Sequence, residues 1–199
     1  MVARVKRYDR AYFDRWYRDR RIGSAADLAR TVAFAVAITE QVLGRPLRSV
    51  LDVGAGEGRW QPMLHRLRPR ARYAGIDSSE WAVERWGRRR NLRLGSIDTL
   101  DRLGLDDPFD LIVVADVMHY LPTAVLRRGV AQVARLLGGV AFFPTFTADD
   151  EIEGDRAHFQ RRHAATYRRI FRQAGLIPIG MYAWTLRARQ PEFADLELG

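Results

Sequence analysis

The stretch SVLDVGAGEGRW, from Ser49 to Trp60, joins a short apolar run to glycine at every second position, Gly54, Gly56 and Gly58. Glycine inside packed structure costs backbone entropy, so this density marks a turn, at the end of a buried strand, that something approaches closely. From here on, short apolar runs alternate with helix signals. SVLDV leads to a helix from about residue 59 to 67, stopped by Pro69, and ARYAGID leads to a second, capped by Ser78 or Ser79 and running to about residue 89. NLRLG is a third strand, and FDLIVVAD is the most hydrophobic and therefore central. A helix from about Thr123 to Leu137, ended by Gly138, precedes GGVAFF. Another from about Arg161 to Ala174 precedes LIPIGMYAW, read as one strand, and FADLEL is the last. Strands alternating with helices specify an α/β, doubly wound, mostly parallel sheet of seven strands with helices on both faces.

Two helices come first. YDRAYFDRWY spaces Tyr8, Tyr12 and Trp16 four apart on one aromatic face, with Asp14 and Arg18 paired on the polar face. SAAD, Ser24 to Asp27, is a capping box, and Gly44 with Pro46 closes the second helix. The expected organisation is one domain over residues 1–199, a helical cap at 1–46 and a core at 47–199. No apolar run approaches the roughly 20 residues that span a bilayer, no secretory leader is recognisable, and the chain has no cysteine. The expectation is a cytoplasmic protein without disulfides, thiolate metal sites or a cysteine nucleophile. The net charge is +9, but only Lys6 among 33 basic residues is lysine, and the arginines are spread through every segment. Solvated faces explain that distribution better than a nucleic-acid footprint.

In a doubly wound sheet, ligands bind beyond the carboxyl ends of the strands. A dinucleotide fingerprint, G-x-G-x-x-G, would need glycine where Arg59 stands. The spacing here is G-x-G-x-G after Asp52, and Asp77 ends the next strand, where a carboxylate can accept both ribose hydroxyls. With these residues the chain resembles the class I S-adenosylmethionine-dependent methyltransferases. LDVGAGEG matches their first motif, AGIDSS the acidic end of the second strand, LRLGSID the third-strand loop and FDLIVVADVMHYLP the fourth strand and its loop.

The resemblance covers about Ser49 to Phe143 and implies a Rossmann-like core that binds S-adenosylmethionine and releases S-adenosylhomocysteine. It places Gly54, Ala55, Gly56 and Gly58 in the cofactor turn, with Asp52 bracing it and reaching the amino group. It gives Asp77 the ribose, with Ser78 beside the adenine, Ser96 and Ile97 bordering the adenine, and Ala115 with Asp116 closing the methionine end. Many relatives have an Asp where Ser96 stands, so either Ser96 or Asp98 serves the adenine amine. Tyr12 and Tyr17 are placed to cover the cofactor, while Trp16 reads as core.

Methyl transfer from a sulfonium is mostly positioning and exclusion of water. If the acceptor must lose a proton, His119 in VMHYLP is the candidate base, against a reading in which it simply packs. The fourth strand ends in ADVM, without the Pro-Pro-aromatic run of base N-methyltransferases or the paired glutamates of arginine methyltransferases. A small-molecule acceptor methylated on O, N or C is expected. An RNA methyltransferase and a non-catalytic binding module are the alternatives. Pro144–His163, roughly 20 residues, is too long for an ordinary connector and reads as a lid. Its Asp149, Asp150, Glu151, Glu153, Asp155, His158 and His163 fit a solvated surface better than a metal site.

Overall fold

The structure, a computed structural model, describes residues 8–19, 24–105, 107–152 and 155–192. Seven strands form one sheet in the order β3-β2-β1-β4-β5-β7-β6. Parallel pairing joins β1 (Ser49–Val53), β2 (Arg72–Asp77), β3 (Leu92–Leu94), β4 (Phe109–Val113) and β5 (Leu137–Phe142). β6 (Leu176–Gly180) and β7 (Ala183–Leu186) form an antiparallel hairpin whose second strand runs against β5.

Every residue of β1 and β4 is buried, as the continuous apolar runs require of strands covered on both faces. Successive side chains take opposite faces. Leu51, Val53 and Ile112 pack with Val130, Ile170 and Phe171 of α5 (Thr123–Leu136) and α6 (Ala164–Gln173). Val50 and Leu111 pack with Val36 of α2 (Ala25–Leu43) and with Trp60 and Leu64 of α3 (Trp60–Leu67). Each fully buried aliphatic side chain contributes about 2 kcal/mol. At the amino-terminal end of the strands, Asp110 takes a bidentate bond from Arg45 (2.9 and 2.7 Å) and the Arg48 amide (2.7 Å). These bonds outweigh burial and hold its pKa below the usual range. This latch fixes the entry of β1.

Several boundaries differ from the sequence reading. LIPIGMYAW is two strands, because Gly180, Met181 and Tyr182 all take positive φ (100°, 44° and 67°) and reverse the chain. That hairpin supplies the seventh strand; FADLEL, residues 193–198, lies outside the described residues. α5 passes into β5 with no loop, and α6 starts at Ala164 because its N-cap, His163, is extended. The leading helix is α-helical only over α1 (Arg10–Phe13) and widens to a π-turn over Asp14–Asp19. Its aromatic row holds, with Tyr8–Tyr12 and Tyr12–Trp16 ring centroids 5.0 and 6.4 Å apart. Ser24 and Gly44 cap α2 as expected, Ser24 Oγ accepting the Asp27 amide at 3.0 Å and Gly44 taking φ 62°. Among the described residues no helix is long and apolar enough to cross a membrane.

Candidate active site

A crevice of about 550 Å³ opens at the carboxyl ends of β1, β2 and β4. Its floor is the glycine turn. Gly54 and Ala55 donate their amides to the Ile76 carbonyl (2.7 and 3.0 Å), tying the turn to β2. A Cβ on Gly54 would lie 2.2 Å from Val117, and one on Gly58 would lie 2.9 Å from Leu92. What comes close to the main chain at these two positions is therefore the protein's own side chains, not the approaching group the spacing suggested. Gly58 does not line the crevice; it closes the turn, its amide on the Ala55 carbonyl at 2.8 Å. Gly56 does line it, at φ 55°, and donates to Asp77 Oδ2 at 2.7 Å.

Asp77 takes the Ser79 amide on Oδ1 at 2.8 Å. Burial raises its pKa, opposed by the amide bonds. Each carboxylate oxygen still has a lone pair for a ligand hydroxyl. Ser79, rather than Ser78, caps α4 (Glu80–Arg90), accepting the Ala82 amide at 3.1 Å while its hydroxyl reaches the Tyr8 carbonyl. That contact seats the leading segment over the crevice. Arg18 adds a second tie by bonding both Asp14 and Glu57 of the glycine turn, the latter at 2.9 Å. Tyr8, Tyr12, Phe13 and Trp16 all line the crevice, so Trp16 serves the site as well as the core. Burial, then the charges of Asp77 and Asp155, push the Tyr8 phenol up to about 12. The Tyr17 side chain and Glu153 lie outside the described residues.

Asp52 is 2% exposed, and the Tyr73 hydroxyl donates to its Oδ2 at 2.7 Å. Burial pushes its carboxyl up to about 7, against the bond from Tyr73 and with the charge of Asp77. Tyr73 carries no motif, and only its placement on β2 beside β1 reveals it. Ser78, Ser96 and Ile97 line the opposite end. Asp98 does not: its carboxylate is turned to Ser96 Oγ (2.9 Å) and Arg128 (3.2 Å). Ser96 alone of the two faces the crevice.

Beyond β4, Ala115, Asp116 and His119 line the wall. Asp116 sits in left-handed backbone, φ 57°, held by its amide on the Pro144 carbonyl at 2.9 Å. Its side chain is open to the crevice but ringed by protein atoms, and desolvation pushes its carboxyl up to about 6. His119 is buried between Tyr120, Phe146 and Phe159, with ring centroids 4.2, 5.3 and 5.6 Å away. The Phe146 amide donates to Nδ1 at 3.4 Å, and Thr145 Oγ1 lies 3.2 Å from the same atom. Nδ1 is thus engaged by the loop that follows β5. The ring lines the crevice wall while its faces pack among aromatic side chains.

Arg162, 7% exposed, passes under this loop. It bonds the Met118 and Leu121 carbonyls and Thr123 Oγ1, pinning the segment 144–163 to the turn that carries His119.

Residues 50–138 match the family model described as "Methyltransferase domain". No curated protein sequence matches the chain. Among solved structures, the plantazolicin methyltransferase in complex with a triazolic desmethylPZN analogue and S-adenosylhomocysteine is 15% identical, with TM-score 0.65 over 80% of this chain and 67% of that chain. A sugar N-methyltransferase from Streptoalloteichus sp. is 21% identical, with TM-score 0.65 over 89% of this chain and 91% of that one. An amino pentose methyltransferase from Micromonospora echinaspora, with S-adenosylmethionine bound, is 18% identical, with TM-score 0.64 over 92% and 98%. At such identities the likeness establishes the fold. The matched domain, residues 50–138, runs from β1 to the start of β5, the part of that fold that carries the glycine turn, Asp77 and Asp116.

Proposed function

We propose that the crevice holds S-adenosylmethionine and that the protein passes the methyl group to a small-molecule acceptor. The observation that carries this is the position of Asp77. It ends the strand beside the β1–β4 switch point, with its carboxylate anchored on the Gly56 and Ser79 amides and facing the crevice. The donor set fits the cofactor part by part. Asp77 suits the ribose hydroxyls, Ser78, Ser96 and Ile97 the adenine, and Asp52 the amino group. Gly54, Ala55 and Gly56 border the methionine moiety, whose carboxylate is served by Arg59, the one guanidinium among the described lining residues. Ala115 and Asp116 border the methyl end, and Tyr12 with its aromatic neighbours covers the whole from above and excludes water. The bound sulfonium supplies an activated methyl group.

Titration calorimetry with S-adenosylmethionine, S-adenosylhomocysteine and NAD tests the reading. Micromolar binding of both adenosyl ligands and none of NAD is expected. NAD binding, or silence with the adenosyl ligands, would overturn it.

A further inference from the structure

The crevice is acidic in a basic protein. The chain carries +9 overall, yet the described lining residues include six carboxylates, Asp27, Asp52, Glu57, Asp77, Asp116 and Asp155, against Arg59 alone. Five of the six are engaged within the fold. Asp27 takes the Ser24 hydroxyl and pairs with Arg30, Asp52 takes the Tyr73 hydroxyl, and Glu57 pairs with Arg18. Asp77 takes two amides, and Asp155 takes the Ala157 amide at 2.8 Å.

Asp116 is different. No described residue donates to its carboxylate, and desolvation is all that acts on it. It sits in left-handed backbone, a region that Asp and Asn enter more readily than other side chains, and the surroundings fix it there. The next residue, Val117, is wedged against Gly54, and the Asp116 amide is pinned to Pro144. The turn presents to the crevice a carboxylate to which no described residue donates. A cationic group is what such a carboxylate binds, and an anionic group placed against it would be repelled.

Resting on the methyl-transfer reading above, we infer that the acceptor is a small molecule bearing a basic amine, whose ammonium group Asp116 binds and deprotonates. One ammonium proton passes to an Asp116 oxygen. The freed nitrogen lone pair forms the N–C bond as the sulfonium S–C bond breaks and leaves its electron pair on sulfur. The product departs as the N-methylammonium ion, and Asp116 returns its proton to solvent through the mouth of the crevice. Its carboxyl, lifted toward neutral pH, can both take and release that proton. His119 is less suited, with Nδ1 already accepting from Phe146.

The test is calorimetry on the protein loaded with S-adenosylhomocysteine, using three matched sets that differ in head group. These are phenethylamine, 2-phenylethanol and 3-phenylpropionate; cyclohexylamine, cyclohexanol and cyclohexanecarboxylate; and glucosamine, glucose and glucuronate. In at least one set the amine should bind tenfold or more tighter than the alcohol, with the carboxylate undetectable. Asp116→Asn should erase that preference and leave the fold, read by circular dichroism, unchanged, since asparagine tolerates left-handed backbone and keeps the loop. The inference fails, with the methyl-transfer reading intact, if no set favours the amine or the preference survives Asp116→Asn. It also fails if the amine preference is lost only in step with a tenfold loss of S-adenosylhomocysteine affinity, which would make Asp116 a cofactor residue alone. If S-adenosylhomocysteine does not bind the wild-type protein, the methyl-transfer reading falls, and the amine assignment with it.

Discussion

Asp52 and Asp77 lie at the ends of neighbouring strands, and burial acts on both in the same direction. For Asp52, with a carboxyl near 7 in the folded protein, the native state holds a proton that the unfolded chain releases near pH 4. The native state binds more protons throughout that interval, so stability falls as pH rises from about 4 to about 7, by at most about 1.4 kcal/mol per pH unit. Asp77 and Asp116 add the same sign, so the contribution is isolated by difference. The melting temperature of Asp52→Asn should gain on the wild type between pH 5 and pH 7.5; a gap independent of pH would refute the protonated state. Asp77→Ala should weaken S-adenosylhomocysteine binding by about 2–4 kcal/mol, because the ribose hydroxyls lose a charged acceptor. It should also lower the melting temperature, since the Gly56 and Ser79 amides lose their partner. Calorimetry and a thermal melt of one sample read both. Both aspartates were legible in the sequence because each stands at the end of an apolar run beside a glycine turn or a helix cap. Tyr73 and the left-handed turn at Asp116 were not, because one depends on strand register and the other on a wedge between distant loops.

Among the elements, the parallel strands and their helices were the most legible, since continuous apolar runs bounded by Ser, Gly and Pro leave little freedom. The hairpin between β6 and β7 was hidden because Met181 and Tyr182 occupy turn positions that ordinarily call for Asn or Gly. The segment 144–163 was legible as an unusual length but not as a clipped one. Its backbone closes on itself through the Ala148 amide and the Arg162 carbonyl (2.8 Å), and it bonds the His119 carbonyl through the Gln160 amide (2.8 Å). Buried Arg162 adds its bonds to the turn below. Truncation leaves the Met118 and Leu121 carbonyls short of a charged donor, each bond worth about 1.5–3 kcal/mol. Arg162→Ala should therefore cost about 3 kcal/mol in denaturant unfolding and speed hydrogen exchange across 144–163 and around His119. Arg162→Lys should recover part of both. Exchange unchanged in Arg162→Ala would show that the segment is held by other contacts, and an unclipped lid would already exchange fast in the wild type.

For the molecule as a whole, the governing property is that its charge is partitioned. The arginines that give +9 are spread along the chain, several paired with carboxylates at the surface, while carboxylates outnumber guanidinium groups along the crevice. Composition alone could not separate these two regions, because it sums over them. A polyanion is attracted to the outer surface at low salt by counterion release, an attraction that collapses steeply as salt rises. It gains little at the crevice, where Arg59 is the one guanidinium among the described lining residues and the aromatic cover from Tyr8 to Trp16 narrows the approach. An RNA methyltransferase needs the opposite arrangement, with basic residues leading the strand to the methyl group. Total RNA should therefore be retained by the protein near 50 mM salt and released near 200 mM. With methyl-labelled S-adenosylmethionine, no label above background should enter RNA at either concentration. Label entering RNA, above all at the higher salt where only specific contacts persist, would transfer the acceptor assignment from a small molecule to a nucleic acid.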